Sequence, residues 1–469
     1  MVVALGLSAC CTGLSLTPAA GATDRLTSSG PVPPDQASTS TRGVSAHSIN
    51  VVFPVVNLTG LASNLGFATD YEYKEQTKAI HLFVNQINNS GGINGRKINP
   101  IISYFTPQNT AQMRSLCKNW TEGSPAAFAV LDGVGTWSED NELCVTQEGH
   151  TPFIGQWTSV TNWTTEGSPY LWWTGPDDSS ILQAVVNWGL ATGLIGPSKK
   201  LGIVAGDRAS DKLALNQYLL PDLRRAGIKA TVVSIPAAPS EEATTSADAP
   251  LVVQKLKSAG VTAVLPLLPF NAFYPVLQGF TQQQYYPHLL LSDYENSILS
   301  ALGLVKAPYE KVLNGQEGVT TETLGGIDDT RPYTQGGYDP GVRSCWTVWH
   351  KAYPQIPPGN LNSYIEEQGP VQGWCQEIRL FAQAAKAAGK DLNRRTLVEA
   401  LSKITHFPGG YAPVLSYGPH RFAGPENYRI VELHVNTPPS SLCETPKGHI
   451  PPQTECWVVK QQWAKLPPP

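Results

Sequence analysis

Short apolar runs alternate with amphipathic helical stretches along most of the chain, and this alternation limits what it can fold into more than any other feature. Ile49 to Phe53 reads as a buried strand, and Ile80, Phe83, Val84 and Ile87 then recur at helical spacing until Gly91-Gly92 stops the helix. Strands are predicted at 97–104, 127–131 and 152–155, with Met113, Leu116, Cys117 and Trp120 on a helix between the first two. After the loop Gly175 to Asp178, whose acidic pair suits a helix N-terminus, Ile181, Ala184, Val185 and Trp188 form the next helical stripe. Strands at 201–205, 228–235, 261–267 and 288–292 then alternate with helices at 212–226, 250–259 and 271–283, and further helices are predicted at 371–388 and 394–403. Repeated βα units require parallel sheets covered by helices on both faces, and two series parted near residue 175 predict two α/β, doubly wound parallel-sheet lobes.

A chain of 469 residues with 41% hydrophobic and 15% charged residues can bury two such cores. Its formal charge of −4, with Lys and Arg scattered, offers no basic face, so nucleic acid is not an expected partner. Residues 1–22 read as an export signal: Leu7-Ser8-Ala9-Cys10 matches the site where bacterial lipoproteins are cleaved and acylated on the cysteine, and Ala20-Gly21-Ala22 offers an alternative cleavage site. Residues 23–48, rich in Ser, Thr, Pro and Gly, are expected to form a disordered tether. The expected location is outside the cytoplasm, with membrane contact only through a lipid on Cys10. Beyond Cys10 and Cys11, an even six cysteines in an exported chain argue for disulfides. Fifteen pairings are possible, and the spacing suggests Cys117–Cys144, Cys345–Cys375 and Cys443–Cys456.

No catalytic constellation emerges. Asp132-Gly133-Val134-Gly135-Thr136-Trp137 follows a strand but lacks the third glycine of a dinucleotide loop. No Walker loop, H-E-x-x-H or G-x-S-x-G occurs, and no thiols or imidazoles sit at zinc spacing. An enzyme is therefore not expected, nor a cofactor or metal. Trp120, Trp188, Trp346, Trp349 and Trp374 read as core, whereas Trp137 and Trp157 fall beyond strand ends, where ligands bind in open α/β sheets.

The run KAIHLFVNQINNSGGINGRKI at 78–98 resembles the signature of the Leu/Ile/Val-binding proteins, the amino-acid and amide branch of the type I periplasmic-binding proteins. Thr151 to Ser159 resembles a strand-loop of that family, and Ser168 to Asp178 resembles its first crossover. The resemblance implies two lobes joined by three crossovers, enclosing a solute by hinge closure. It implies the solute-binding component of an ABC importer, with a small polar or amphipathic solute and a membrane permease as partners and a monomeric state. A ligand-sensing receptor module is the alternative. Lobe 1 is expected to comprise 49–174 with 319–405, and lobe 2 to comprise 175–318 with 406–469. The Pro-rich stretch 438–469 matches no family element and is expected to wrap the surface.

By the same resemblance, Gly135, Thr136, Thr158 and Ser159 would supply hydroxyl and N–H donors to the solute. Trp137 and Trp157 would lie beside them. Asp293 and Glu295 stand where the family places an acidic partner for a ligand ammonium, and Tyr294 and Phe270 would wall the pocket. The family's aromatic after the strand at 201–205 is missing here, where Gly206-Asp207-Arg208-Ala209-Ser210-Asp211 stands instead.

Overall fold

The computed structural model describes residues 31–60, 73–133, 141–157, 160–296, 298, 308–323, 339–354, 369–435 and 455–468. The first sheet joins β1 (Ser48–Val56), β2 (Lys97–Phe105), β3 (Ala129–Asp132), β4 (Phe153–Gly155) and β5 (Leu171–Trp173). Its order is β2-β1-β3-β4-β5, with every pair parallel. The second begins with β6 (Leu201–Gly206), β7 (Ala230–Ile235), β8 (Ala263–Leu267), β9 (His288–Ser292) and β10 (Glu317–Thr320). After a small ribbon of β11 (Phe407–Pro408) and β12 (Val414–Leu415), β13 (Asn427–Val435) and β14 (Glu455–Lys465) complete it. The order is β14-β13-β10-β9-β8-β6-β7. β3, β6 and β8 are buried at every residue, as strands covered on both faces must be. The α/β class with two parallel-stranded lobes is thus the observed one.

The glycine-rich signature serves the fold. Gly91, Gly92 and Gly95 all have positive φ, and so does Asn94 at 49°. At Gly92 a Cβ would lie 2.2 Å from the Arg96 carbonyl oxygen, so the close turn into β2 tolerates only glycine. Asn94 also reaches across the lobe: its Nδ2 donates to the carbonyls of Lys386 and Gly389 at 3.1 and 3.0 Å, at the end of helix Trp374–Ala387. Arg96 Nη2 donates to the Lys390 carbonyl beside them at 3.0 Å. The signature therefore caps a helix whose last carbonyls lie 291 and 292 residues away in sequence, as well as ending its own.

Four expectations are corrected. Residues 31–48 do not form a free tether, because a polar segment can be held by hydrogen bonds where it lacks apolar periodicity. The Val32 N–H donates to Ser168 Oγ at 2.6 Å and the Ser38 N–H to Tyr170 Oη at 2.7 Å. Ser38 and Ser40 carbonyls accept from the N–H groups of Arg395 and Arg394. The lobe boundary at 406 also moves. Trp173 in β5 exchanges hydrogen bonds with Phe422 and Gly424, so 421–424 lengthens the edge of the first sheet. Trp172 holds it there, with Phe422 and Tyr417 ring centroids at 4.8 and 5.7 Å. Part of 438–469 does not wrap the surface: β14 pairs antiparallel along β13. Finally, the helix predicted from Pro250 begins at Glu242 and runs through the proline. Ser246, whose carbonyl would have accepted the missing N–H, lies on the exposed face.

The core tryptophans are buried as their spacing predicts. Two of the expected disulfides are formed, Cys117–Cys144 and Cys345–Cys375, with Cα separations of 6.2 and 5.8 Å. Cys10 and Cys443 lie outside the described residues, as does the side chain of Cys456. No helix among the described residues is long and apolar enough to cross a membrane.

Candidate functional site

In parallel α/β sheets the carboxyl ends of the strands carry the binding loops, because the chain must turn there before entering the next helix. On the first sheet, β3 ends at Asp132-Gly133 and β4 at Gly155-Gln156-Trp157. A Cβ on Gly175 would lie 2.0 Å from the Trp157 carbonyl oxygen and 2.1 Å from that of Gln156, so the first crossover packs backbone to backbone against this loop. The Trp157 ring is tilted against Tyr411, with centroids 6.2 Å apart. Gly135, Thr136, Trp137, Thr158 and Ser159 lie outside the described residues.

Beneath these ends lies a polar group that no sequence signal singles out. Gln156, Gln372 and Glu377 are buried, and the side-chain amides of Gln156 and Gln372 have no hydrogen-bond partner among the described residues. Gln376 Oε1 accepts from the N–H groups of Gly410 and Tyr411 at 2.6 and 3.0 Å. Burial, reinforced by the negative charge of Asp132, pushes the Glu377 carboxyl well above the ordinary carboxylate range, against a hydrogen bond from the Asp132 backbone. The Gln156 and Gln372 amides thus offer neutral donors and acceptors here.

The second lobe is ionic. Arg208 and Asp211, just beyond β6, form a paired bridge with Nε–Oδ2 and Nη2–Oδ1 both 2.8 Å, and Arg208 Nη2 also donates to Glu295 Oε1 at 2.8 Å. Tyr294 is buried and its hydroxyl donates to Asp211 Oδ1 at 2.7 Å. Burial first, then the Asp211 charge, pushes the Tyr294 phenol well above its ordinary value. Glu295 holds a left-handed backbone, φ 48°, which a non-glycine residue adopts only at a cost of about 1–3 kcal/mol. Its side chain is 29% exposed against 8% for Arg208 and 0% for Asp211, so Glu295 is the member of this cluster that faces outward. Phe270 is half-buried and opens helix Phe270–Gln282 after β8.

Asp293 is bonded to the second passage between the lobes. It accepts from the Thr321 N–H and hydroxyl at 2.6 and 2.7 Å. Burial pushes its carboxyl up to about 6, against these hydrogen bonds and the Arg429 charge, which favour the carboxylate. Burial first, then the Asp293 charge, pushes the neighbouring Glu322 carboxyl well above its ordinary value. The structure therefore groups Tyr294 and Glu295 with Arg208 and Asp211, and places Asp293 at a crossover. Arg208-Ala209-Ser210-Asp211 carries the i, i+3 spacing of an acid–base pair, a signal the sequence does contain. No group of three or more His, Cys, Asp and Glu among the described residues is placed to hold a metal ion.

A family model described as periplasmic binding protein matches residues 67–437. No curated protein matches the chain. Among solved structures, a branched-chain amino acid ABC transporter protein from Thermus thermophilus with bound valine is similar at TM-score 0.62 and 14% identity, covering 90% of this chain and 97% of that one. A solute-binding protein of an ABC transporter from Rhodopseudomonas palustris BisB5, in complex with 3,4-dihydroxybenzoic acid, gives 0.61 and 14%, covering 89% and 98%. A fatty acid ABC transporter substrate-binding protein from Thermomonospora curvata gives 0.60 and 18%, covering 90% and 94%. The match over most of the chain, on a parallel sheet and a largely parallel one, shows that this chain belongs to the type I periplasmic binding protein family of solute-binding proteins.

Proposed function

We propose that the chain is the extracytoplasmic, non-enzymatic solute-binding component of an ABC importer, tethered by a lipid on Cys10 and docking on a membrane permease as a monomer. The observation that carries this reading is the family match across 67–437. The solute is a small polar or amphipathic molecule, an amino acid or amide, or an acid with a flat or apolar body. It lies between the strand ends of the two lobes and is captured by their closure. The neutral amides on the first lobe and the outward member of the ionic cluster, Glu295, on the second support a solute held by hydrogen bonds. The loops at Gly135-Thr136-Trp137 and Trp157-Thr158-Ser159 supply the hydroxyl and amide donors, with Phe270 beside the apolar part.

A thermal-shift screen tests this directly, with a panel of branched-chain amino acids, carboxamides, hydroxybenzoic acids and fatty acids. A solute present at 100 times its Kd stabilises the folded chain by about 2.7 kcal/mol. That amounts to a rise of about 5–10 °C for a domain of this size. In the Thr158→Ala/Ser159→Ala double variant the solute found should bind at least tenfold more weakly with folding intact, as buried acceptors lose their donors. A panel with no shift at all, or a double variant of unchanged affinity, contradicts the respective part of the proposal.

A further inference from the structure

Beside the first crossover, away from the strand-end groups described above, a side-chain hydrogen bond joins the two sheet assemblies. Tyr218 Oη donates to Asn162 Oδ1 at 2.7 Å. Asn162 belongs to the short helix Thr161–Glu166, inserted between β4 and β5 of the first sheet, directly after the loop that begins at Trp157. Tyr218 belongs to the helical segment between β6 and β7 of the second sheet. The bond is therefore between residues that must separate if the sheets move apart.

Both sides are built to present it. The segment carrying Tyr218 is α-helical over Ala209–Leu213 and Leu220–Arg225 but widens to a π turn at Ala214–Leu219. The wider turn rotates the residues within it relative to a regular helix, a device that recurs at functional positions. On the other side, Thr161 is fixed to the start of helix Asp178–Ala191: its N–H and hydroxyl donate to Asp178 Oδ1 at 3.0 and 2.5 Å. Asp177 in turn caps that helix, accepting from the Ser180 N–H at 2.8 Å and from the Ser179 and Ser180 hydroxyls at 2.6 and 2.7 Å. Helix Thr161–Glu166 is thus anchored to the crossover at one residue and to the second lobe at the next.

We propose that the Tyr218–Asn162 hydrogen bond is a latch that sets the balance between closed and open lobes, and with it the rate at which solute leaves. It rests on the solute-capture reading, since a latch has a role only if the lobes move.

The test uses the ligand-free full-length chain, so it stands apart from the solute screen. Tyr218→Phe, Asn162→Ala and the double variant are compared by solution X-ray scattering and by hydrogen exchange of residues 157–180. A net hydrogen bond corresponds to roughly a five- to tenfold shift in a two-state balance. Each single variant should increase the radius of gyration, and should speed exchange in 157–180 by about that factor. The double variant should match Tyr218→Phe, whose lost hydroxyl serves both Asn162 and the Thr161 side chain, so Asn162→Ala adds nothing to it. Tyr218→Phe removes one half-buried hydroxyl, and circular dichroism checks that it folds. Should it melt below the working temperature, Asn162→Ala gives the same reading from the other partner. Unchanged scattering and exchange in the singles overturns the latch, as does a double variant in which the two effects add. A solute screen without hits would instead count against the capture reading.

Discussion

Replacing Gly175 with alanine would force a methyl group into the backbone of the Gln156-Trp157 loop. The added Cβ would sit 2.0 Å from the Trp157 carbonyl oxygen, 2.1 Å from the Gln156 oxygen and 2.6 Å from the Trp157 carbonyl carbon, where real Cβ atoms stay beyond 3.0 Å. The obstacles are main chain, so no rotamer change relieves the clash. The strand before them is tied to the crossover by the Thr174 N–H and hydroxyl, which donate to the Gly155 carbonyl at 2.8 and 3.2 Å. One segment must therefore move by about an ångström. Overpacking of this kind costs about 1–3 kcal/mol, and a clash with backbone on both sides belongs at the upper end. For a domain of about 200 residues that lowers the melting temperature by about 5–10 °C. Gly196→Ala is the control, because an added Cβ there meets nothing within 4 Å, and its effect should stay within about 0.5 kcal/mol. Melting followed by circular dichroism reads both variants. A Gly175→Ala protein that melts with the wild type would refute the packing argument, and with it the coupling between the crossover and the binding loop.

Asp178 gives a pH-dependent expectation. Burial pushes its carboxyl up to about 7, while the Thr161 hydrogen bonds act in the opposite direction. Its unfolded value is about 3.9, so between these limits the folded chain holds more protons, and stability falls as pH rises. Asp293 at about 6 acts with the same sign, as do Glu322 and Glu377. Asp178→Asn should therefore lose less melting temperature between pH 5 and pH 8 than the wild type, and equal losses would contradict the assignment. The Cys117–Cys144 bridge closes a span of 27 residues, so Cys117→Ser/Cys144→Ser should lose about 3–4 kcal/mol in urea unfolding. The ion pairs of Glu148 with Arg114 and Lys118 across the same junction are exposed and cannot replace it. An unchanged urea midpoint would contradict that estimate.

The fold was legible because burial leaves a periodic trace. Ile80, Phe83 and Val84 point one face of a helix at the sheet, and all three are buried. Long-range polar docking leaves no such trace. Asn94 reads as a turn residue, yet it also caps a helix near Lys386, and nothing local announces the second role. The Ser-rich segment 31–48 is read as a tether for the same reason, since its partners Ser168, Tyr170, Arg394 and Arg395 lie far along the chain. At the candidate site the family resemblance brought Tyr294 and Glu295 into view but not their ties to Arg208 and Asp211, which depend on β6 and β9 sharing one sheet. Gln372 and Glu377 sit on a helix that reads as core, and the polar surroundings of their side chains are visible only in three dimensions.

The central claim is that two lobes close over a solute. The most direct measurement is solution X-ray scattering of the full-length chain with and without a saturating solute taken from the thermal-shift screen, with far-ultraviolet circular dichroism recorded in parallel. Closure predicts a smaller radius of gyration with an unchanged dichroism spectrum, because rigid lobes rotate about the crossovers without refolding. A solute that binds by calorimetry and leaves the radius of gyration unaltered would contradict it.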